Sequence, residues 1–286
     1  MGIGVILDYG HRVTTPGKRT IPLPRVIHER TFNEGYGRVA AELFRQAGCA
    51  VLEVAPDPMA RMNENSDLNQ RIAKANQWAR GRQGDCYYLS CHANAGGGQG
   101  AEIWIYSQAK KGGLEETLAQ RILDKLCKAT GMKNRGVKRG YPGNPSGNFA
   151  VNRDTIMPAM LIECGFMDYA PEAQRMDDLN FWKLCGQAVY DGMAECLGLQ
   201  QCDLPPVQPE PQPSGKLYQV QFGWASAGDK TRAVTLGRQL QLEPTLQQGE
   251  NGLFLVSYPP MSQGDKQAVE QLGRELQVNT QAVALA

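Results

Sequence analysis

The first two hundred residues alternate short apolar runs with longer stretches whose apolar positions recur every three or four residues. Runs at 5–8, 50–54, 86–91, 101–106 and 159–163 have the length of strands, and stretches at 32–46, 67–80, 114–130 and 180–197 carry the helical period. Strands that alternate with amphipathic helices predict an α/β fold, a mostly parallel sheet flanked by helices. In such sheets functional groups gather beyond the carboxyl ends of the strands. A proline-rich segment at 202–215, CDLPPVQPEPQPSG, has almost nothing to bury and predicts an extended spacer. We therefore expect a first domain at 1–200, a linker at 201–215 and a second domain at 216–286.

The second domain repeats itself at an offset of 36 residues. Gly228-Asp229-Lys230 returns as Gly264-Asp265-Lys266, Leu236-Gly237-Arg238 as Leu272-Gly273-Arg274, and Val220 and Phe222 correspond to Val256 and Tyr258. Each unit reads as a strand followed by a helix. Two units predict a small α+β, ferredoxin-like domain with a four-stranded sheet. Strand alternation puts Val220 and Phe222 on a core face and Gln219 and Gln221 on a polar one.

Thirty basic and 29 acidic side chains leave a formal charge of +1. That balance argues against nucleic acid or anionic membrane as a partner. No run approaches the ~18 apolar residues of a membrane span. The opening MGIGVILD lacks a basic leader and enters a strand at once, so no signal peptide is expected. Eight scattered cysteines without a CxxC pair read as buried free thiols made in a reducing compartment.

Only three histidines occur, His11, His28 and His92. His11 follows the first apolar run, His92 ends the third, and Glu163 ends the fifth before Cys164-Gly165-Phe166. Glu29 precedes the helical run near Phe32, where a carboxylate also balances a helix dipole. Two imidazoles and a carboxylate match an open zinc site, with a further carboxylate to take a proton. Read from spacing alone, the pattern leaves structural roles open for each of these residues.

The motifs in order resemble the zinc-dependent N-acetylmuramoyl-L-alanine amidases, including phage endolysins. They are Leu7-Asp8-Tyr9-Gly10-His11-Arg12, Thr15-Pro16-Gly17-Lys18-Arg19, Glu29-Arg30-Thr31-Phe32-Asn33, Arg71 with Ala75-Asn76, Ser90-Cys91-His92-Ala93-Asn94 and Leu161-Ile162-Glu163-Cys164-Gly165-Phe166. The resemblance implies Zn2+ held by His11, Glu29 and His92, with Glu163 as catalytic carboxylate. It departs at Arg12, where many members have glycine; Arg12 and Asn94 are candidates to contact substrate. Cys91 stands where isoleucine is usual, and alternation turns it away from His92. The tail resembles SPOR domains, which bind peptidoglycan, on Tyr218-Gln219-Val220-Gln221-Phe222-Gly223 and the repeat. Leu255 and Pro259 depart from that pattern, and Gln219 and Gln221 are the candidate glycan contacts.

The resemblance implies a peptidoglycan hydrolase that cleaves the amide between N-acetylmuramic acid and L-alanine. An endolysin made in the cytoplasm and acting on the wall after release is the leading expectation, with a bacterial autolysin as the alternative. Two other functions stay in view: a cysteine peptidase using Cys91 or Cys164 with a histidine, and a non-catalytic wall-binding protein. For the tail, a homodimerisation module is the alternative.

Overall fold

The computed structural model describes residues 2–21, 26–56, 64–203, 218–239, 242, 244–249, 252–259 and 263–284. The chain divides into two compact units, Met1–Pro205 and Pro206–Ala286. The first unit runs β1 (Gly4–Tyr9), α1 (Glu29–Gln46), β2 (Ala50–Val54), α2 (Glu64–Arg80), β3 (Cys86–Asn94), β4 (Ala101–Ile105), α3 (Leu114–Thr130), β5 (Asn134–Arg139), α4 (Ala150–Asp154), β6 (Ala159–Phe166), α5 (Ala170–Ala173) and α6 (Leu179–Leu197). Its sheet has the order β2-β1-β3-β6-β4-β5.

The four strands from β2 to β6 in that order are parallel. β4 runs antiparallel to β6, and β5 follows β4 in parallel. The reversal has a simple cause. Residues 95–100 between β3 and β4 are too few for the crossover that a parallel return requires. The sheet is thus mostly parallel, with two strands whose amino ends share a rim with the carboxyl ends of the rest.

Both faces of the sheet are covered, which is why β1 is buried along its whole length. Val5, Leu7, Leu89, Cys91, Ile103 and Ile162 pack on one face with residues of α1, α3 and α6. Ile6, Tyr88, Trp104 and Leu161 pack on the other with Ile72 and Ala75 of α2 and Val151 of α4. Helix α6 approaches its neighbours through glycines. A Cβ on Gly186 would lie 2.4 Å from Val39 Cβ of α1, and one on Gly192 would lie 2.5 Å from Ile122 Cα of α3.

Three boundaries differ from the sequence reading. Helix α1 begins at Glu29 rather than near Phe32, so Glu29 opens the helix. Strand β5 carries the sequence NRGVKR and no apolar run; it is a half-buried edge strand. The expected linker begins too early, because Cys202 is buried against the first unit and its carbonyl accepts Gln187 Nε2 at 2.7 Å. The rest of that linker, from residue 204, lies outside the described residues.

The second unit runs β7 (Tyr218–Ala225), α7 (Ala227–Gln239), β8 (Thr245–Gln248), β9 (Phe254–Ser257), α8 (Gln263–Leu276) and β10 (Thr280–Ala284). Its sheet, β10-β7-β9-β8, is antiparallel throughout. The equivalent strands of the repeat, β7 and β9, lie side by side in the centre, with Phe222 opposite Val256. Val220, Phe222, Val256 and Tyr258 form its core with Ala233 and Val269. Among the described residues no helix is long and apolar enough to cross a membrane.

Candidate metal centre

The centre sits beyond the carboxyl ends of β1 and β3, where the amino end of α1 meets them. His11, Glu29 and His92 each offer a ligand atom there, all within 4.8 Å of one another. Glu29 Oε1 lies 3.1 Å from His92 Nδ1, and its Oε2 lies 3.7 Å from His11 Nε2. The two imidazoles meet edge to face with centroids 4.9 Å apart. His11 has φ 60°, a left-handed conformation uncommon outside glycine. His28, next to Glu29, stays outside the cluster.

One face of α1 builds the support. Glu29, Asn33 and Tyr36 recur at helical spacing, so all three point at the same strand ends. Asn33 Nδ2 donates to Gly10 O at 3.2 Å and to Glu29 Oε1 at 3.3 Å. The backbone N–H of Ala93 donates to the same carboxylate oxygen at 3.1 Å. The Tyr36 hydroxyl accepts from His92 N at 3.0 Å and donates to His92 O at 3.3 Å. Gly10 completes the cradle: a Cβ there would fall 2.0 Å from His92 Cε1.

Electrostatics suit a cation. Burial holds His11 down to about 3, helped by its neighbour His92, so it is the neutral imidazole that a metal needs. Burial alone would raise Glu29, but the hydrogen bond and charge of His92 and the charges of His11 and Lys18 lower it to about 2. Burial opposes charge on His92, and Glu29 outweighs it, moving that group upward. Glu29 Oε2 is buried and accepts no hydrogen bond. The Lys18 ammonium, at 3.7 Å, offers it compensating charge.

Glu163 on β6 stands beside His92 in the parallel register. Burial, together with nearby Glu29 and Glu102, overcomes the attraction of His92 and Lys18 and raises its carboxyl to about 7. Its Oε2 is buried without a hydrogen bond. Glu102 and Glu172, also buried nearby, are fully engaged. Glu102 accepts Asn94 Nδ2, Trp104 Nε1 and Arg135 Nε at 2.9, 3.1 and 2.8 Å. Glu172 accepts the backbone N–H groups of Gly100 and Phe166 at 2.8 and 2.7 Å. Glu163 differs from these two in having a buried carboxylate oxygen with no hydrogen bond.

The N-acetylmuramoyl-L-alanine amidase family model matches residues 5–195, a span that includes all four of these side chains. The chain belongs to that family. This family member is 32% identical over 179 residues to the N-acetylmuramoyl-L-alanine amidase CwlM of Bacillus licheniformis, covering 63% of the chain and 60% of CwlM. An endolysin of Bacillus phage SPP1 is 28% identical over 145 residues, which cover 49% of the chain and 51% of the endolysin. Among solved structures, the catalytic domain of the amidase CwlV from Bacillus (Paenibacillus) polymyxa aligns with TM-score 0.54 at 27% identity. That alignment covers 70% of this family member and 100% of the CwlV domain. The chain thus spans 60% of CwlM and 52% of a sporulation-specific amidase of Bacillus subtilis.

The remaining candidates fall elsewhere. Arg12 is buried and pairs with Asp67 at 3.3 Å; Asp67 also holds Arg71, which binds the buried Asp8. Asn94 reaches the rim but spends its amide on Glu102. In the second unit Gln219 bonds the Tyr258 carbonyl and Gln221 lies 3.5 Å from Ser257 Oγ. Cys91 packs on the face opposite His92, and burial raises the thiols of Cys91 and Cys164. Neither forms a pair with a histidine among the described residues. The sequence reading missed Asn33, Tyr36, Lys18 and Arg135 as parts of the site. Their helical spacing from Glu29 was the available signal for the first two.

Proposed function

We propose that the chain is a zinc-dependent hydrolase of the amide bond between N-acetylmuramic acid and L-alanine in peptidoglycan. The observation that carries this reading is the His11–Glu29–His92 cluster beside Glu163, whose buried Oε2 has no hydrogen bond, within the family-matched segment. The residues fit zinc: two imidazoles and a carboxylate whose buried Oε2 has no hydrogen bond. His11, Glu29 and His92 would hold the zinc, which when bound would supply Lewis-acid activation of water and of the scissile carbonyl. Glu163 accepts the proton of the attacking water and returns it to the alanine nitrogen as the C–N bond breaks. Asn33, Tyr36 and Ala93 N–H hold Glu29 and His92 in place. The products are a lactyl carboxylate and a free L-alanine amine.

The second unit is, in this reading, a SPOR-like module with a ferredoxin-like fold that holds the enzyme on the wall. Its β-α-β-β-α-β order and side-by-side repeat strands support that assignment. A phage or prophage endolysin is the setting favoured by the resemblance to the SPP1 protein, an autolysin the other. Digestion of purified sacculi with and without chelator tests the chemistry. New L-alanine amino termini, without new reducing sugars and only in the absence of chelator, are expected. New reducing ends would refute the bond assignment. A tail that dimerises in sedimentation but fails to bind sacculi would refute the targeting role.

A further inference from the structure

The rim of the centre is completed by the strands that run the other way. Glu102 on β4 lies directly across from Glu163 on β6, and Arg135 on β5 binds Glu102. The register slips at that point: Ala101 faces Asn134, but Ile103 faces Val137. Gly136, inside the slip, has φ 87°. Such a bulge is uncommon between parallel strands, and bulges re-aim the side chains beside them. Here the side chain is Arg135. Its guanidinium rests 4.8 Å from the centroid of Phe166, with Nε on Glu102 and Nη1 3.5 Å from the Gln99 carbonyl. Beyond these contacts the side chain keeps 32% of its surface exposed.

We propose that Arg135 is a specificity-determining residue that receives a carboxylate on the stem-peptide residue following L-alanine. The proposal rests on the amidase reading above. Directly opposed residues on neighbouring strands have Cβ atoms about 5 Å apart. Arg135, two strands from Glu163, therefore has its Cβ roughly 10 Å from that of the group that handles the scissile nitrogen. Successive α-carbons of a peptide are about 3.8 Å apart, so a carboxylate on the second stem residue falls within that reach. Arginine suits the task because its planar fork binds a carboxylate through paired donors. Glu102 and Phe166 already fix the fork, so little side-chain freedom is lost on binding. Glu102 also offsets its charge, which suppresses indiscriminate attraction of anions.

The test uses the zinc-loaded full chain and two muropeptides that differ only at the second stem residue, carboxylate in one and carboxamide in the other. The parent enzyme should favour the carboxylate by about 10- to 100-fold in kcat/KM, chiefly through KM. Arg135→Lys keeps a cation for buried Glu102 but loses the fork. The double variant Glu102→Gln, Arg135→Gln leaves no buried unpaired charge, so misfolding of either single charge deletion does not confuse the result. Both should bring the ratio to within about threefold of one. A parent ratio near one, or a ratio unmoved in both variants, overturns the proposal while leaving the amidase reading standing. Cleavage of neither peptide by the parent would instead overturn that reading, and the proposal with it.

Discussion

Gly10→Ala isolates the cradle of the metal centre from everything else. Gly10 does not use the left-handed region, so alanine adds no backbone strain and acts through its methyl alone. That methyl would fall 2.0 Å from His92 Cε1, 2.3 Å from Nε2 and 2.6 Å from Nδ1. Carbon atoms rest at about 3.5 Å, so the imidazole or the β1 end must give way by roughly 1.5 Å. The Tyr36 hydroxyl clamps the His92 backbone on both sides, so the ring must carry most of the displacement. Metal ligands tolerate only about 0.2 Å of error, and overpacking of this kind costs about 1–3 kcal/mol. We expect zinc affinity to fall by about 100-fold, at the upper end of what misplacing a ligand support costs. The metal-free protein should lose a few degrees of Tm, at about 2–4 °C per kcal/mol for a domain of this size. Competition with a chromophoric chelator measures the first quantity and thermal unfolding in chelator the second. Gly2→Ala, with nothing within 4 Å of the added methyl, is the control. Zinc affinity within about threefold of the parent would refute the assignment of His92 to the centre as placed.

Glu163→Gln should bind zinc as the parent does and lose about 10²-fold or more in kcat; unchanged turnover on sacculi would assign the base elsewhere. Asp8 is held below its ordinary 3.8: burial opposes this, and the charges of Arg71 and His92 with the Ser90 hydroxyl outweigh it. A depressed folded-state value stabilises the fold above that ordinary value and is lost as pH falls through the folded one. Acid unfolding should therefore flatten in Asp8→Asn, at a cost of about 3 kcal/mol near neutrality from the charge left on Arg71. Gly192→Ala should destabilise the first unit by about 1–3 kcal/mol in urea unfolding, since its methyl meets the α3 backbone rather than a movable side chain. Iodoacetamide on the native protein should leave hydrolysis unchanged; inactivation that tracks a thiol would revive a cysteine mechanism.

The buried half of this structure was legible in the sequence because burial writes itself as apolar periodicity. β1, β2, β3, β4 and β6 all coincide with apolar runs, and His11, His92 and Glu163 were found as polar residues at their ends. β5 left no such mark. It is an edge strand whose residues are half solvated, so NRGVKR satisfies it as well as any apolar run would. The same holds for β8, exposed along its length. Asn94 and Arg12 were recognised as polar residues near the centre, but adjacency in sequence does not reveal which buried charge each must neutralise. That depended on Glu102, brought in by β4, and on Asp67, brought in by α2.

The two reversed strands divide the labour of the rim. The candidate groups for metal and proton come from the amino end of α1 and the outgoing ends of β1, β3 and β6, whereas Glu102 and Arg135 come from the incoming ends of β4 and β5. The β4–α3–β5 segment is contiguous in sequence and contributes none of the three cluster residues. With the role proposed for Arg135, a change of substrate preference can be written into one uninterrupted stretch of sequence that holds none of the His11–Glu29–His92 cluster. Exchanging residues 95–139 between relatives should carry substrate preference with it, so this fold offers a replaceable reading head beside a fixed blade.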